Sequence, residues 1–262
     1  MQNRLIAPFA IFLVILPLLA CSLLRTGRSY KWHLILEVDP SVSDRESVAR
    51  QTIDVLRSRL NALGVAPFKV DIVDSPTQGR VRLDLPEIAD RQRFKNFIVT
   101  RGLLQLVHIV SAPAPAPCQT YQNEEEAKAA TKADANRKVL PYPDSNGKVR
   151  WVVAELPAIV DGRGLRNATA VPNPIGGGYE IRFTLKPEAA DKFGAWTGAN
   201  INQYIGVILN DEVKSVAYIK SQISDTGQIS GRFTKESAED LAQLLKTGPL
   251  PARVKIVEEG QN

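Results

Sequence analysis

Two cysteines, two histidines and one methionine make up the whole stock of soft metal ligands and imidazole bases in 262 residues. That is too little for a Cys/His cluster, so no structural zinc is expected. Cys118 invites a reading as a nucleophile, but neither His33 nor His108 lies near it in sequence to serve as its base, and a structural thiol is the expectation. The acids Asp161, Asp211, Glu212, Asp225 and Glu239 are spread over turns and helix faces, as solvated carboxylates are. No enzymatic activity is expected from them. Gly176-Gly177-Gly178 has the composition of a phosphate cradle. A cradle needs a strand before it and a helix N-terminus after it, whereas here a strand pattern begins at Tyr179. A hairpin or flexible turn is therefore expected, and no cofactor.

The second cysteine stands in a different setting. Leu5 to Leu24 form an apolar run behind Arg4 that contains Leu18-Leu19-Ala20-Cys21. A positive start, an apolar stretch of about 15 residues and a small residue before cysteine fit a lipoprotein export signal. Leu18-Leu19-Ala20-Cys21 resembles a lipobox, in which Cys21 is lipidated and becomes the mature N-terminus. An uncleaved anchor is the alternative, since about 20 apolar residues can span a bilayer; simple secretion is a third. Arg25, Arg28 and Lys31 oppose an uncleaved helix whose C-terminal side lies outside. Residues 1–21 are thus a signal peptide and lipobox or a membrane anchor, 22–32 a tether, and the rest faces the periplasm or exterior of a bacterial cell envelope. A lipidated Cys21 leaves Cys118 without an intrachain partner, so no disulfide framework is expected. In a chain with such a signal, the acceptor-like tripeptide Asn167-Ala168-Thr169 is read as chance.

The net charge of +5 is mild for this length, and basic residues are interspersed with acids. Nucleic acid is not an expected partner. The elements that follow the tether have a clear grammar. His33 to Asp39 reads as a strand, and Ser43 with Glu46 as a capping box opening a helix with Val48, Ile53, Leu56, Leu60 and Leu63 on one face. Strands follow at Lys69 to Val73 and Arg80 to Leu85, then a helix at about Arg91 to Thr100, then a buried strand from Leu103 to Val110. The order is βαββαβ, the split βαβ or ferredoxin-like arrangement, over residues 33–111.

Ala112 to Pro117 alternates alanine with proline and marks a spacer. Residues 112–150 are expected to be linker and insertion, with a weakly packed helix over Glu124 to Arg137. A second α/β unit is expected over 151–259, built from a strand at Tyr179 to Leu185, a helix from Pro187, a hairpin turning at Asn210-Asp211, a further strand, a helix capped by Thr234 and stopped by Gly248, and a closing strand. Residues 260–262 form a tail. The fold class is α+β, two ferredoxin-like subdomains joined by a Pro/Ala-rich linker.

Several of these stretches resemble the first periplasmic domain of SecD, a subunit of the bacterial Sec protein-export machinery. Leu209-Asn210-Asp211, Ser215-Val216-Ala217, Ile229-Ser230-Gly231-Arg232-Phe233, the helix Lys235 to Lys246 and Gly248-Pro249-Leu250-Pro251 follow the order of its hairpin, strands, helix and exit. Arg50-Gln51-Thr52-Ile53, Leu56-Arg57-Ser58-Arg59-Leu60-Asn61 and Leu63-Gly64-Val65 resemble its first helix, and Val81 to Pro86 the strand after it. Phe193, Thr197 and Asn200 resemble a further pattern of the family. In place of the family's glycine-rich segment before the first strand stands Ser29-Tyr30-Lys31-Trp32-His33.

The resemblance implies a base subdomain over 33–111, a head over 151–259, and an accessory role in export. Exported unfolded polypeptides and Sec membrane proteins are the implied partners. The family continues into a membrane bundle that, with SecF, couples proton flow to pulling; this chain is read as a membrane-anchored or lipoprotein form without it. The alternative is an envelope lipoprotein with a structural or ligand-binding role that reuses the fold.

Overall fold

A computed structural model describes residues 30–143, 147–174 and 177–262. Cys21, the signal or anchor and most of the tether lie outside the described residues. The chain runs β1 (Trp32–Val38), α1 (Arg45–Ala62), β2 (Lys69–Val73), β3 (Arg80–Leu85), α2 (Arg91–Val99), β4 (Leu104–Ile109), α3 (Glu124–Ala130), β5 (Arg137–Pro143), β6 (Val149–Asp161), β7 (Leu165–Pro172), β8 (Tyr179–Leu185), α4 (Pro187–Ala199), β9 (Tyr204–Leu209), β10 (Glu212–Tyr218), β11 (Thr226–Phe233), α5 (Lys235–Thr247) and β12 (Val254–Gln261).

These strands form three antiparallel sheets, ordered β12-β1-β3-β2, β10-β9-β4-β6-β5 and β11-β8-β7. The first carries α1 and α2, whose Ala49, Leu56, Leu60, Phe94, Phe97 and Ile98 pack into the core of Leu34, Leu36, Val81, Leu83 and Leu85. Trp32 is wholly buried there; its indole donates to the Pro86 carbonyl at 2.7 Å and meets the Phe94 ring edge-on. The N-cap of α1 is Asp44, one residue beyond the expected Ser43: its carboxylate accepts from the Ser47 amide and adds a negative charge at the positive end of the helix.

The strand expected to close this unit does something else. β4 pairs with β6 on one side and β9 on the other, at the centre of the five-stranded sheet. Its side chains explain why. Leu104 and Leu106 enter one hydrophobic core while Val107 and Ile109 enter another, so both faces need cover, which a sheet edge with one wet face does not supply. The edge place beside β1 goes to β12, where half-buried Val254 and Ile256 alternate with exposed Lys255 and Val257. The unit expected over 33–111 is thus completed by residues from the far end of the chain. The second unit differs as well: β8 lies in the three-stranded sheet, β9 and β10 in the five-stranded one, and its expected closing strand, β12, in neither.

Within residues 112–150, expected to be linker and insertion, β5 is the edge strand beside β6. The helix expected to reach Arg137 stops at Ala130, and Lys132 and Ala133 turn the chain at positive φ. Other local expectations match the structure. Asn210 and Asp211 adopt φ of 52° and 67° in the two-residue turn between β9 and β10. Thr234 caps α5 by accepting from the Ser237 amide, and Gly248 follows the helix at φ 83°.

Candidate functional site

The chain leaves the four-stranded unit through residues 100–103 and returns through 248–253. Both crossings meet at one side chain. Arg59, fully buried on α1, donates from Nη1 to the carbonyl oxygens of Phe97, Ile98 and Thr100 and from Nη2 to those of Arg101 and Gly248, at 2.7 to 3.4 Å. Two of these carbonyls belong to the end of α2, which has no further turn of helix to satisfy them; a cation there also suits the helix dipole. No carboxylate pairs with this guanidinium among the described residues, and burial pulls its pKa down to about 9. The crossings also bond each other directly, Leu250 N–H to Arg101 C=O at 2.8 Å.

Further contacts fasten the junction. The β9–β10 turn docks on the outgoing crossing, where the Asn210 side-chain oxygen accepts from the Leu103 amide and the Asn210 amide donates to the Leu103 carbonyl. Asp211 beside it accepts from Lys138 at 2.7 Å and from Arg253 at 2.8 Å, and the Lys138 bond comes first among the causes that hold its carboxyl below the usual range. Arg93 of α2 forms a two-point ion pair with Asp240 of α5, both bonds at 2.9 Å. Leu244 of α5 together with Leu250 and Ala252 completes the core of the four-stranded unit.

A second feature lies where edges of the five-stranded and three-stranded sheets approach one another. β5, β10 and β11 are edge strands, each paired on one side only among the described residues. A groove of about 490 Å³ runs among them, lined by Tyr142 and Pro143, by Glu212 through Val216, and by Ser230, Gly231 and Phe233. Its lining mixes apolar side chains with hydroxyls and a Glu212–Lys214 ion pair. β10 and β11 both carry register irregularities, so neither offers a long regular ladder.

The residues with chemical potential do not converge. Cys118 is half-buried, and burial pushes its thiol up to about 11, far from a reactive thiolate. Each of the five acids has a cation beside it: Arg163 for Asp161, Lys138 and Arg253 for Asp211, Lys214 for Glu212, Arg166 for Asp225 and Lys235 for Glu239. Gly177 and Gly178 sit at positive φ in the turn before β8, not before a helix. His108 Nδ1 bonds Glu155 at 2.7 Å, and its Nε2 is buried with no hydrogen-bond partner among the described residues. The tilted Trp196 ring lies 5.6 Å away, and Arg137 approaches the other Glu155 oxygen, so this pair reads as packing on the five-stranded sheet. No cluster of three metal-ligating side chains occurs among the described residues, and no helix among them is long and apolar enough to cross a membrane.

The sequence marks the junction arginine only by its place on a helix face. Arg59 follows Leu56 by three residues and so sits on the apolar face of α1, which was the available signal. Nothing comparable marks the groove, whose three strands are distant in sequence.

This arrangement of a four-stranded sheet with two helices joined by two crossings to the other two sheets is similar to that in solved SecDF structures. One solved SecDF, in a super-membrane-facing form, superposes with a TM-score of 0.66 at 22% identity over 88% of this chain and 30% of its own. Another, described as a membrane component that enhances protein export, gives 0.65 at 24% identity over 86% of this chain and 98% of its own.

Sequence comparison supplies the relatives by name. Residues 137–252 match the SecDF P1 head subdomain. The protein translocase subunit SecD of Aquifex aeolicus (strain VF5) is 33% identical over 215 residues, 82% of this chain and 40% of that protein. SecD of Koribacter versatilis (strain Ellin345) is 32% identical over 220 residues, 82% and 39%. The chain is related to SecD across most of its length, and a SecD periplasmic domain accounts for the match. It spans about 40% of the length of these relatives.

Proposed function

We propose that this chain is an extracytoplasmic accessory of protein export that engages exported polypeptides in extended form. The observation that carries the reading is the groove bordered by three strand edges, β5, β10 and β11. An extended polypeptide offers any such edge its own amides and carbonyls regardless of sequence, and side chains such as Val216 and Phe233 supply apolar contact. Irregular, short edges limit how many ladder bonds form at once. Binding is then weak and sequence-tolerant, as handling a moving chain requires. The relationship to SecD supports the same role and, with it, attachment to the cell envelope and contact with Sec membrane components. Anchoring through a lipidated Cys21 or an uncleaved apolar segment is part of the reading.

Photocrosslinking residues placed singly at Ser215 and Ser230 in secreting cells test it. Adducts with exported polypeptides are expected from both positions and not from Lys69 on the opposite unit. Absence of such adducts, with an unrelated envelope protein captured instead, overturns the reading. Palmitate labelling of wild type against Cys21→Ser decides the anchor.

A further inference from the structure

Between the two crossings opens a cleft of about 290 Å³ whose lining includes Thr100, Arg101 and Asn210 on one side and Arg253 on the other, with Asp211 between them. Asp211 is the one carboxylate in that lining, and both its oxygens are engaged, one by Lys138 and the other by Arg253. It therefore leaves Arg101 unserved. The Arg101 Nε is buried and has no hydrogen-bond partner among the described residues, and no ion pair of those residues includes Arg101. Burial puts Nε itself out of a ligand's reach, but a guanidinium with no carboxylate partner favours an anionic oxygen at its remaining nitrogens.

Beneath Arg101 lies a second cation in the same condition. Arg59 bonds the Arg101 carbonyl but faces only neutral carbonyl oxygens, so its charge lacks a counter-ion. Arg253, in contrast, is 70% exposed at its side chain and binds Asp211 through a single nitrogen, which leaves its remaining donors able to turn to a ligand. Thr100 and Asn210 line the cleft as well, but the Thr100 hydroxyl already donates to the Asn96 carbonyl and the Asn210 backbone amide to that of Leu103, so the two arginines are its charged donors. Asp39 is the other acid near Arg253; its carboxylate is held by the amide and hydroxyl of Ser41.

We propose that this cleft binds a small oxyanion, a phosphate or a carboxylate group, between Arg101 on the outgoing crossing and Arg253 on the returning one. Such a ligand supplies the negative charge that Asp211 does not deliver to Arg101. Because its two anchors sit on different crossings, it joins them with charge-assisted bonds and stiffens the junction between the two units. The site is separate from the edge-strand groove and stands whether or not that groove takes polypeptide.

The test is thermal unfolding of the full chain, purified in detergent and followed by tryptophan fluorescence, in sodium phosphate, sodium citrate or sodium chloride at equal ionic strength. Phosphate, citrate or both should raise the midpoint above that in chloride. The pattern identifies which oxyanion the site prefers. Arg101→Gln and Arg253→Gln should each weaken the apparent affinity roughly tenfold or more, the scale of one lost bond to a charged group. Asp211→Asn, which removes the competing carboxylate, should strengthen it. Circular dichroism checks that each variant is folded, and the exposed Arg253 provides a variant with little reason to misfold. Equal midpoints in all three salts, or a full phosphate response in folded Arg101→Gln and Arg253→Gln, overturns the proposal.

Discussion

Thr100 receives a 2.7 Å hydrogen bond at its carbonyl oxygen from Nη1 of Arg59, a side chain with no exposed surface. Thr100 is the first residue beyond α2, and Arg59 lies on the buried face of α1 in its last turn. The bond thus ties the start of the outgoing crossing to the four-stranded unit, and the same guanidinium reaches Gly248 at the start of the returning one. One charged side chain organises both ends of a long excursion of the chain.

Replacing it should be severe. Arg59→Met keeps the volume but leaves the end of α2 and both crossings with buried carbonyl oxygens lacking donors. The expected loss of unfolding free energy in urea is about 3–5 kcal/mol, since a buried polar group left without its partner costs about 1–3 kcal/mol and several carbonyls lose theirs together. Arg59→Lys should restore only part of it, since an ammonium cannot fork across carbonyls that far apart. A loss under about 1 kcal/mol for Arg59→Met would mean that water replaces the guanidinium.

Local grammar was legible in the sequence, whereas sheet membership was not. The Asn210-Asp211 turn, the Thr234 cap and the bounds of β8 follow from short-range chemistry, and the structure has them where the residues call for them. The strand from Leu104 is different. Its apolar residues on both faces signalled burial, but burial is equally compatible with several sheets, and which sheet depends on partners more than 40 residues away. The same holds for β12, which travels from the end of the chain to pair with its beginning. The Arg59 staple lay between these cases: a charge on an apolar helix face was visible, and its five acceptors were not.

The Arg93–Asp240 pair links α2 to α5 with good two-point geometry, but its side chains are 47% and 30% exposed. Solvent and salt therefore discount it. A double-mutant cycle with Arg93→Ala and Asp240→Ala should give a coupling of about 0.5–1 kcal/mol in low salt that shrinks toward zero near 1 M salt. A coupling that resists salt would place the pair in a drier junction than its exposure indicates.

Asp211 makes the junction sensitive to acid. Its carboxyl is held below the ordinary value of 3.8, with the Lys138 bond the largest cause and Arg253 adding to it. A carboxyl with a depressed folded pKa contributes stability that is fully present above its unfolded value and is lost as pH falls through the folded one. Asparagine keeps the turn, because it tolerates positive φ as aspartate does. Asp211→Asn should therefore be less stable than wild type at pH 7, and the gap in urea midpoints should close below about pH 4. A gap that persists at pH 3 would assign the effect to the turn rather than to the charge.

Cys118 offers a direct reading of how firmly the 112–121 segment is held against the five-stranded sheet. Its thiol is pushed up to about 11 by burial, and the segment around it is fixed by the Ser111 hydroxyl accepting from the Gln119 amide and by Tyr121 pairing with Trp151. Only the thiolate reacts with iodoacetamide, so the raised pKa slows alkylation near neutral pH by roughly two to three orders of magnitude against a free thiol. In a Cys21→Ser chain, where Cys118 is the sole thiol, labelling should be slow in buffer and approach the free-thiol rate in strong denaturant. Fast labelling of the native chain would mean that the segment opens locally, exposing the thiol without unfolding the sheet beneath it.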